Sequence, residues 1–273
     1  MDSGRWVEVA DRVFARRYAE LDLTVGLVVG ADACLVVDTR GDEAQGAEFA
    51  AAIRAITGAP WTVVLTHAHF DHVLGTAAFL PAPVLAHERA RDVLVPGADL
   101  GRSDFVRHYE AHGRSADATL LAAAQVIGPD RTVREHTTLD IGGRTVHCDH
   151  FGPAHTDNDL VVRVPDADVV FAGDLLEHDA TTGSFSAESF GPETHLANWP
   201  DAVSSITAFD PAVVICGHGE PVDRDFAISA RDQLNALVRS RAAARNGESA
   251  VAEAIASTSL PEDVVRAALA TTD

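Results

Sequence analysis

The sequence contains no lysine, and all 21 of its basic residues are arginine. No lysine can therefore serve as nucleophile, base or anion anchor. The basic residues face 41 acidic ones, which gives a formal net charge of −20. A chain this acidic repels nucleic-acid phosphates and anionic lipid surfaces, so we expect neither a nucleic-acid nor a membrane partner.

Cysteine is also scarce. The three cysteines, Cys34, Cys148 and Cys216, are odd in number and far apart in the sequence. They form no disulfide framework or Cys-x-x-Cys site, and we expect buried thiols. No apolar run approaches the ~18–20 residues that span a bilayer. Residues 1–10 lack the basic and apolar segments of a secretion signal. These absences favour a cytoplasmic location.

The 273 residues are 47% hydrophobic, which is ample material for one large core. Strand and helix patterns follow each other in two similar halves, each typical of a sheet covered by helices. We predict one domain over residues 1–245 and a C-terminal helical tail over residues 246–273. Residues 97–130 show mixed patterns and form either a lid or ordinary surface helices.

Four potential metal ligands fall within six residues, directly after a predicted buried strand at residues 61–65: His67, His69, Asp71 and His72. Imidazole and carboxylate groups are suitable zinc ligands. Side chains two positions apart in an extended segment lie on the same face, so those of His67 and His69 should point the same way. Asp71 and His72 follow where the chain turns toward a helix. Their side chains could therefore face a different point in space from those of His67 and His69.

Three further candidates stand alone, each at the end of a predicted apolar strand and beside small residues: His155, Asp174 and His218. A neighbouring glycine lets the backbone turn sharply or approach a ligand closely. Each position is weak evidence by itself. Together with residues 67–72 they indicate one site.

This series, His-x-His-x-Asp-His followed by lone His, Asp and His, resembles the metallo-β-lactamase superfamily over about residues 10–225. The segment at residues 24–39 is similar to the opening hairpin of that family, which ends in a characteristic aspartate, here Asp38. The resemblance implies an α/β fold. The expected fold is a four-layer αββα sandwich with two mixed β-sheets flanked by helices and a site at the edge where the strand-end loops meet.

The resemblance also implies two metal ions and a role for each candidate. His67, His69 and His155 would hold the first ion, Asp71, His72 and His218 the second, and Asp174 would bridge them. Asp38 and Thr66 would orient these ligands from outside.

Such a site supports hydrolysis, because two bridged divalent ions lower the pKa of bound solvent and supply a bridging hydroxide near pH 7. Asp71 would orient this hydroxide and take its proton. We predict a binuclear hydrolase of a small ester, thioester, lactone or amide, with two Zn²⁺ as cofactor. A site of His and Asp without thiolate also accepts iron or manganese.

Other functions of the same fold remain open. One is a mononuclear iron oxygenase similar to the persulfide dioxygenases, which use fewer ligands. Another is β-lactamase activity. In a branch of those enzymes with cysteine at the position of Asp174, a lysine three residues on binds the substrate carboxylate. Glu177 stands there in this sequence and should repel an anionic lactam. A nuclease is disfavoured by the acidity of the chain.

The pocket itself is less defined by the sequence. Glu177, His178, Phe185 and Phe190 follow Asp174 closely and are candidate pocket residues. The two phenylalanines either form an apolar wall or pack beneath their loop. The substrate, the oligomeric state and the pathway stay open, since loops determine specificity in this fold.

Overall fold

The computed structural model describes residues 3–243 and 249–272. One sheet of seven strands forms its N-terminal half, in the order of the sequence. The strands are β1 (Arg5–Ala10), β2 (Val13–Arg17), β3 (Thr24–Val29), β4 (Cys34–Val37), β5 (Trp61–Val64), β6 (Val84–His87) and β7 (Arg131–Val133). Pairing is antiparallel from β1 to β4 and parallel from β4 to β7, so the sheet is mixed.

A second sheet of five strands follows, in the order β12-β11-β10-β9-β8. Its strands are β8 (His136–Ile141), β9 (Arg144–Asp149), β10 (Val161–Val164), β11 (Val169–His178) and β12 (Val213–Gly219). Only β11 and β12 pair in parallel. The carboxyl ends of these two strands therefore lie at the same edge of the sheet.

Helices flank both sheets. Those in the N-terminal half are α1 (Glu43–Arg54), α2 (Phe70–Val73), α3 (Ala90–Val93), α4 (Arg102–Ala111) and α5 (Ser115–Ala123). Those in the C-terminal half are α6 (Trp199–Thr207), α7 (Arg224–Ala243), α8 (Ser249–Thr258) and α9 (Glu262–Ala270). None of the helices within the described ranges is long and apolar enough to cross a membrane.

Strand alternation explains how one sequence fills three apolar layers. In β3, Leu27 and Val29 pack outward with Phe49 of α1, whereas Val28 between them packs inward with Phe171 of the second sheet. Both faces of β3 are buried, which accounts for its uninterrupted apolar run. A third apolar layer lies between the second sheet and its helices. The predicted four-layer αββα sandwich is thus confirmed.

The C-terminal helices share this third layer. Leu260 and Val265 are buried in the same cluster as Trp199 of α6 and Leu234 of α7. The predicted boundary between domain and tail, at residues 245 and 246, lies outside the described residues. The helices that follow it pack on the domain rather than apart from it.

A candidate metal centre at the strand ends

The seven predicted ligands meet in two groups at one end of the sandwich. One group contains His67, His69, His155 and Asp174, and the other contains Asp71, His72 and His218. Within each group the candidate ligand atoms lie within 4.8 Å of one another. The structure therefore brings together side chains that are up to 151 positions apart, from His67 to His218.

In the first group, three imidazole nitrogens converge. His69 Nδ1 lies 3.0 Å from His67 Nε2 and 3.1 Å from His155 Nε2. In the second group, His72 Nε2 and His218 Nε2 are 3.4 Å apart. Asp71 Oδ2 lies 3.4 Å from His218 Nε2. Each group thus presents its donor atoms to one small volume.

Asp174 lies between the two groups. Its Oδ2 is 3.3 Å from His67 Nε2 and 3.4 Å from His218 Nε2, while its Oδ1 is 3.3 Å from His72 Nε2. Its carboxylate therefore faces histidines of both groups at once, which is the position that the resemblance implies for a bridging ligand.

Strand β11 places Asp174, although not in the way expected from the sequence. The strand does not end at Asp174 but continues through it to His178. Its pairing with β12 shifts register on both sides of Gly173. Gly217 of β12 allows the close approach, because a Cβ there would lie 1.8 Å from Asp174 Oδ1.

The outward nitrogens of two histidines donate to main-chain carbonyls. His155 Nδ1 lies 3.2 Å from the Ser189 carbonyl oxygen, and His218 Nδ1 lies 2.8 Å from that of Leu21. A carbonyl only accepts, so the ring proton sits on Nδ1 and leaves a lone pair on the inward Nε2 of a neutral ring. This is the tautomer that binds a metal ion.

Asp38 fixes two more histidines. Its carboxylate accepts from the Thr66 amide at 2.7 Å and from Thr66 Oγ1 at 2.8 Å. It also lies 2.8 Å from His72 Nδ1. Because the Thr66 hydroxyl donates to Asp38, it accepts from His67 Nδ1 at 3.1 Å. Asp38 thus contacts His72 directly and His67 through Thr66.

The fifth histidine has a partner that the sequence did not indicate. Glu193 Oε1 lies 2.8 Å from His69 Nε2, on the side of the ring away from the other donors. The hydrogen bond to His69 lowers the pKa of Glu193 to about 2. Glu193 belongs to the segment between β11 and α6, and neither its spacing nor its neighbours mark it as functional.

A metal ion fits this arrangement. With the outward nitrogens of the first group holding the protons, the inward lone pairs of His67, His69 and His155 face each other at 3.0 and 3.1 Å with no proton between them. Asp174 Oδ1 is buried and has no hydrogen-bond partner. Burial lowers the pKa of His67 to about 3 and that of His155 well below its ordinary value, so both rings are neutral. A cation would satisfy all of these atoms.

The second group attracts positive charge. Burial alone would lower the pKa of His218, but Asp174 and Asp71 outweigh it and raise that pKa to about 10. The pKa of His72 is likewise held well above its ordinary value, since the same two carboxylates and Asp38 outweigh burial. Three buried carboxylates therefore create a field that holds either protons or a metal cation.

A cavity of about 1150 Å³ opens onto the centre. Glu177 lines it, and burial together with Asp174 raises the pKa of Glu177 to about 7. Phe105 of α4 and Val264 of α9 also contribute to its wall. The mixed segment at residues 97–130 thus supplies part of the cavity through α4.

The other three candidate pocket residues are placed elsewhere. Phe185 and Phe190 are buried, with ring centroids 5.3 and 5.5 Å from that of Trp199, so they pack beneath their loop. The His178 ring contacts Phe226 at 5.1 Å. None of the three is among the described residues that line the cavity.

The fold and the donor groups together define an αββα protein with a candidate metal centre at the carboxyl ends of its strands. The sequence profile of the metallo-β-lactamase superfamily matches residues 21–218. The chain belongs to that superfamily.

Individual relatives agree. The probable metallo-hydrolase YqgX of Bacillus subtilis (strain 168) is 26% identical over 200 residues, which cover 72% of this chain and 84% of that protein. A metallo-β-lactamase from Pontibacter korlensis superposes with a TM-score of 0.62 at 19% identity, over 85% of this chain and 99% of its own. One from Hirschia baltica gives 0.59 at 18% identity, over 84% and 96%. The two structures support the fold.

Proposed function

We propose that the chain is a binuclear metal-dependent hydrolase, with zinc as the expected metal and a small ester, thioester, lactone or amide as substrate. The observation that carries this proposal is the position of Asp174. Its two oxygens lie 3.3 Å from His67 Nε2 and from His72 Nε2, one in each donor group. A carboxylate shared in this way is suited to two ions rather than one.

The second donor group favours the hydrolase over a mononuclear iron oxygenase. Asp71, His72 and His218 form a separate group with its own hydrogen-bonded supports. A mononuclear centre needs fewer ligands and would leave these three buried or half-buried side chains without a cation. The convergence of their donor atoms argues for a second ion.

Two divalent ions held by these residues would lower the pKa of bound solvent and polarise a substrate carbonyl. Asp71 lines the cavity and has its Oδ2 3.4 Å from His218 Nε2, so it is placed to accept a proton from water at the centre. Five fixed imidazoles keep their orientation while charge develops, which avoids reorganisation during the reaction.

Lactam hydrolysis is a weaker candidate. Glu177 is buried at the cavity wall, three residues after Asp174. In its ionised form, which becomes more populated as pH rises through its pKa of about 7, Glu177 repels the carboxylate that penicillins and carbapenems carry. We therefore expect slow turnover of these compounds compared with esters or thioesters.

The deciding experiment is metal analysis by mass spectrometry on protein purified without added metal or chelator. We expect about two zinc ions per chain, and about one in a His218→Ala variant that loses a donor of the second group. His195→Ala is the matched control, since His195 lines the same cavity but belongs to neither group.

Other results would point elsewhere. About one iron per chain, with oxygen consumption in the presence of persulfides, would favour the oxygenase. Absence of bound metal after reconstitution with zinc, iron or manganese would refute the centre. With zinc bound, a panel of thioesters, lactones and carboxylic esters then tests hydrolysis, and a chelator should abolish it.

A further inference from the structure

The candidate donor His218 lies in the second sheet, but a turn of the first sheet orients its ring. His218 Nδ1 donates to the Leu21 carbonyl oxygen at 2.8 Å. Leu21 lies in the 3-10 turn Glu20–Asp22, between β2 and β3. Leu23, directly after the turn, forms an antiparallel bridge with His218. A displacement of this turn would therefore move the acceptor away from the His218 ring.

The main chain of the turn has a conformation that depends on support from its surroundings. Leu21 has a φ of 58° and a ψ of 11°, and Asp22 has a φ of 52°. Both φ values are left-handed, and residues other than glycine rarely adopt them. Such a conformation persists where neighbouring contacts hold it in place. The side-chain contacts of the turn therefore help to fix the Leu21 carbonyl.

Glu20 makes the closest of these contacts with a later part of the chain. Its Oε1 accepts from the Tyr109 hydroxyl at 2.7 Å and from Arg114 Nη1 at 2.9 Å, and its Oε2 lies 2.7 Å from Arg114 Nη2. Two parallel bonds between a guanidinium and a carboxylate fix the geometry of the pair. The Arg114 guanidinium also lies 4.4 Å from the centroid of the Tyr109 ring. We call Glu20, Tyr109 and Arg114 the carboxylate clamp.

The carboxylate clamp joins the turn to the segment that contains α4 and α5. Tyr109 belongs to α4, and Arg114 directly precedes α5. The same segment lines the large cavity through Phe105. A second cavity of about 10 Å³, no larger than one water molecule, is lined by Glu20, Tyr109 and the donor Asp71. The clamp thus packs beside the second donor group with little free volume.

We propose that Glu20 is a positioning residue of the second donor group. Held by Tyr109 and Arg114, it fixes the turn whose Leu21 carbonyl orients the His218 ring. The α4–α5 segment therefore supports the metal centre as well as lining the cavity. The effect on metal binding rests on the proposed binuclear centre, whereas the hydrogen bond of His218 is measurable without metal.

The first test measures the two stepwise zinc affinities of the full chain by competition with a chromophoric chelator. The ion of the second donor group is identified as the one that is lost in His218→Ala. Glu20→Gln keeps the shape of the side chain but removes the charge that pairs with Arg114. We expect the affinity for this ion to fall about tenfold, because ligand orientation is lost. The affinity for the other ion should stay within about twofold.

Glu48→Gln is the matched control. Glu48 is 21% exposed and Glu20 is 18% exposed. Glu48 also accepts from a tyrosine at 2.7 Å, here Tyr18, and pairs with Arg16 and Arg40, none of which is a donor. We expect both zinc affinities of this variant to equal those of the unaltered chain.

A second matched pair removes one hydroxyl from each carboxylate site. Tyr109→Phe should lower the affinity for the same ion by a smaller factor than Glu20→Gln, and Tyr18→Phe should not change it. This pair takes the place of the first if circular dichroism shows that a glutamine variant is unfolded.

A double variant separates orientation of His218 from general loosening of the fold. In His218→Ala the ring that Glu20 positions is absent. Adding Glu20→Gln should therefore leave the affinity of the remaining zinc unchanged. A further tenfold loss in the double variant would overturn the proposal, because the effect would not pass through His218.

The hydrogen bond itself is measured by nuclear magnetic resonance of the histidine ring protons in the metal-free chain. The Nδ1–H signal of His218 is assigned by its absence in His218→Ala. We expect its exchange with water to become about tenfold faster in Glu20→Gln and to stay unchanged in Glu48→Gln. Equal exchange rates in all three folded chains would also overturn the proposal.

These measurements distinguish this inference from the proposed function. If the unaltered chain binds no zinc, the proposed hydrolase fails, and the exchange of the His218 ring proton alone decides the role of Glu20. If two zinc ions bind and esters are hydrolysed, while Glu20→Gln changes neither zinc affinity nor proton exchange, the hydrolase stands and this inference is wrong.

Discussion

Glu193 Oε1 accepts a hydrogen bond from His69 Nε2 at 2.8 Å, across 124 positions of sequence. His69 is the one candidate donor histidine that turns Nδ1 toward the other donors, whereas the other four turn Nε2 inward. It is also the most exposed of the five, with a quarter of its side chain accessible. The carboxylate of Glu193 therefore fixes both the tautomer and the orientation of the least confined ring.

Removal of this support should weaken metal binding at the first donor group. For Glu193→Ala we expect the zinc affinity to fall about 10–100-fold, as is typical when the hydrogen-bond partner of a ligand is lost. Competition with a chromophoric zinc chelator measures this change. Glu188→Gln is the control, because Glu188 lines the same cavity without contacting a donor. An affinity equal to that of the unaltered chain would contradict the role given to Glu193.

The positions of the donor residues could be predicted from the sequence because apolar strand patterns in it are followed by polar residues. The strand before Thr66 is short and apolar, and the chain must turn where the apolar run stops. Parallel pairing of β11 and β12 brings Asp174 and His218 to the same edge. The tertiary structure then brings together the donor residues of the two sheets, whose positions the local sequence pattern had already indicated.

The supports of the donors could not be predicted in the same way. Leu21 and Ser189 act through their main-chain carbonyls, which have no signature in the side-chain sequence. Glu193 acts across a loop whose path depends on the packing of Phe185 and Phe190 on Trp199. Because this packing is tertiary, the sequence could not show that the two phenylalanines lie under the loop. It also could not show that α9 forms part of the cavity wall.

Gly217 provides a second test of the centre. A Cβ at this position would lie 1.8 Å from Asp174 Oδ1 and 2.9 Å from the Gly173 main chain. For Gly217→Ala we expect Asp174 to be displaced, with fewer than two zinc ions bound and hydrolysis lost, because the shared carboxylate no longer reaches both groups.

Gly58→Ala is the matched control for this substitution. Nothing lies within 4 Å of a Cβ at Gly58, so the chain should bind metal as before. Metal analysis and circular dichroism of both variants separate loss of the centre from loss of the fold. Full zinc binding by Gly217→Ala would refute the requirement for glycine.

The three cysteines should be inert in the folded chain. Burial raises the pKa of the Cys34 thiol to about 11 and that of Cys148 to about 12, and it also raises the pKa of Cys216. Only the thiolate attacks a disulfide reagent. We expect no labelling by a chromogenic disulfide at about pH 8 without denaturant, and three thiols per chain after unfolding in guanidinium. Rapid native labelling of any cysteine would show that its side chain is accessible.

Asp159 should make stability depend on pH. It is buried, and its carboxylate accepts from the Thr156 amide at 2.9 Å and from Thr156 Oγ1 at 2.7 Å. Burial outweighs these bonds and raises the pKa of Asp159 from 3.8 to about 7. The folded chain therefore keeps a proton that the unfolded chain releases above about pH 4, and this contribution to stability is lost as pH rises toward 7.

Asp159→Asn resembles the protonated carboxyl and does not titrate. We expect the free energy of unfolding of the unaltered chain, relative to the variant, to fall between about pH 4 and pH 7 and then to level off. The slope should be at most about 1.4 kcal/mol per pH unit. Urea unfolding of both chains with a chelator present measures it, since titration of the remaining groups cancels in the difference. A difference that stays constant or grows with pH would show that Asp159 is ionised in the folded chain.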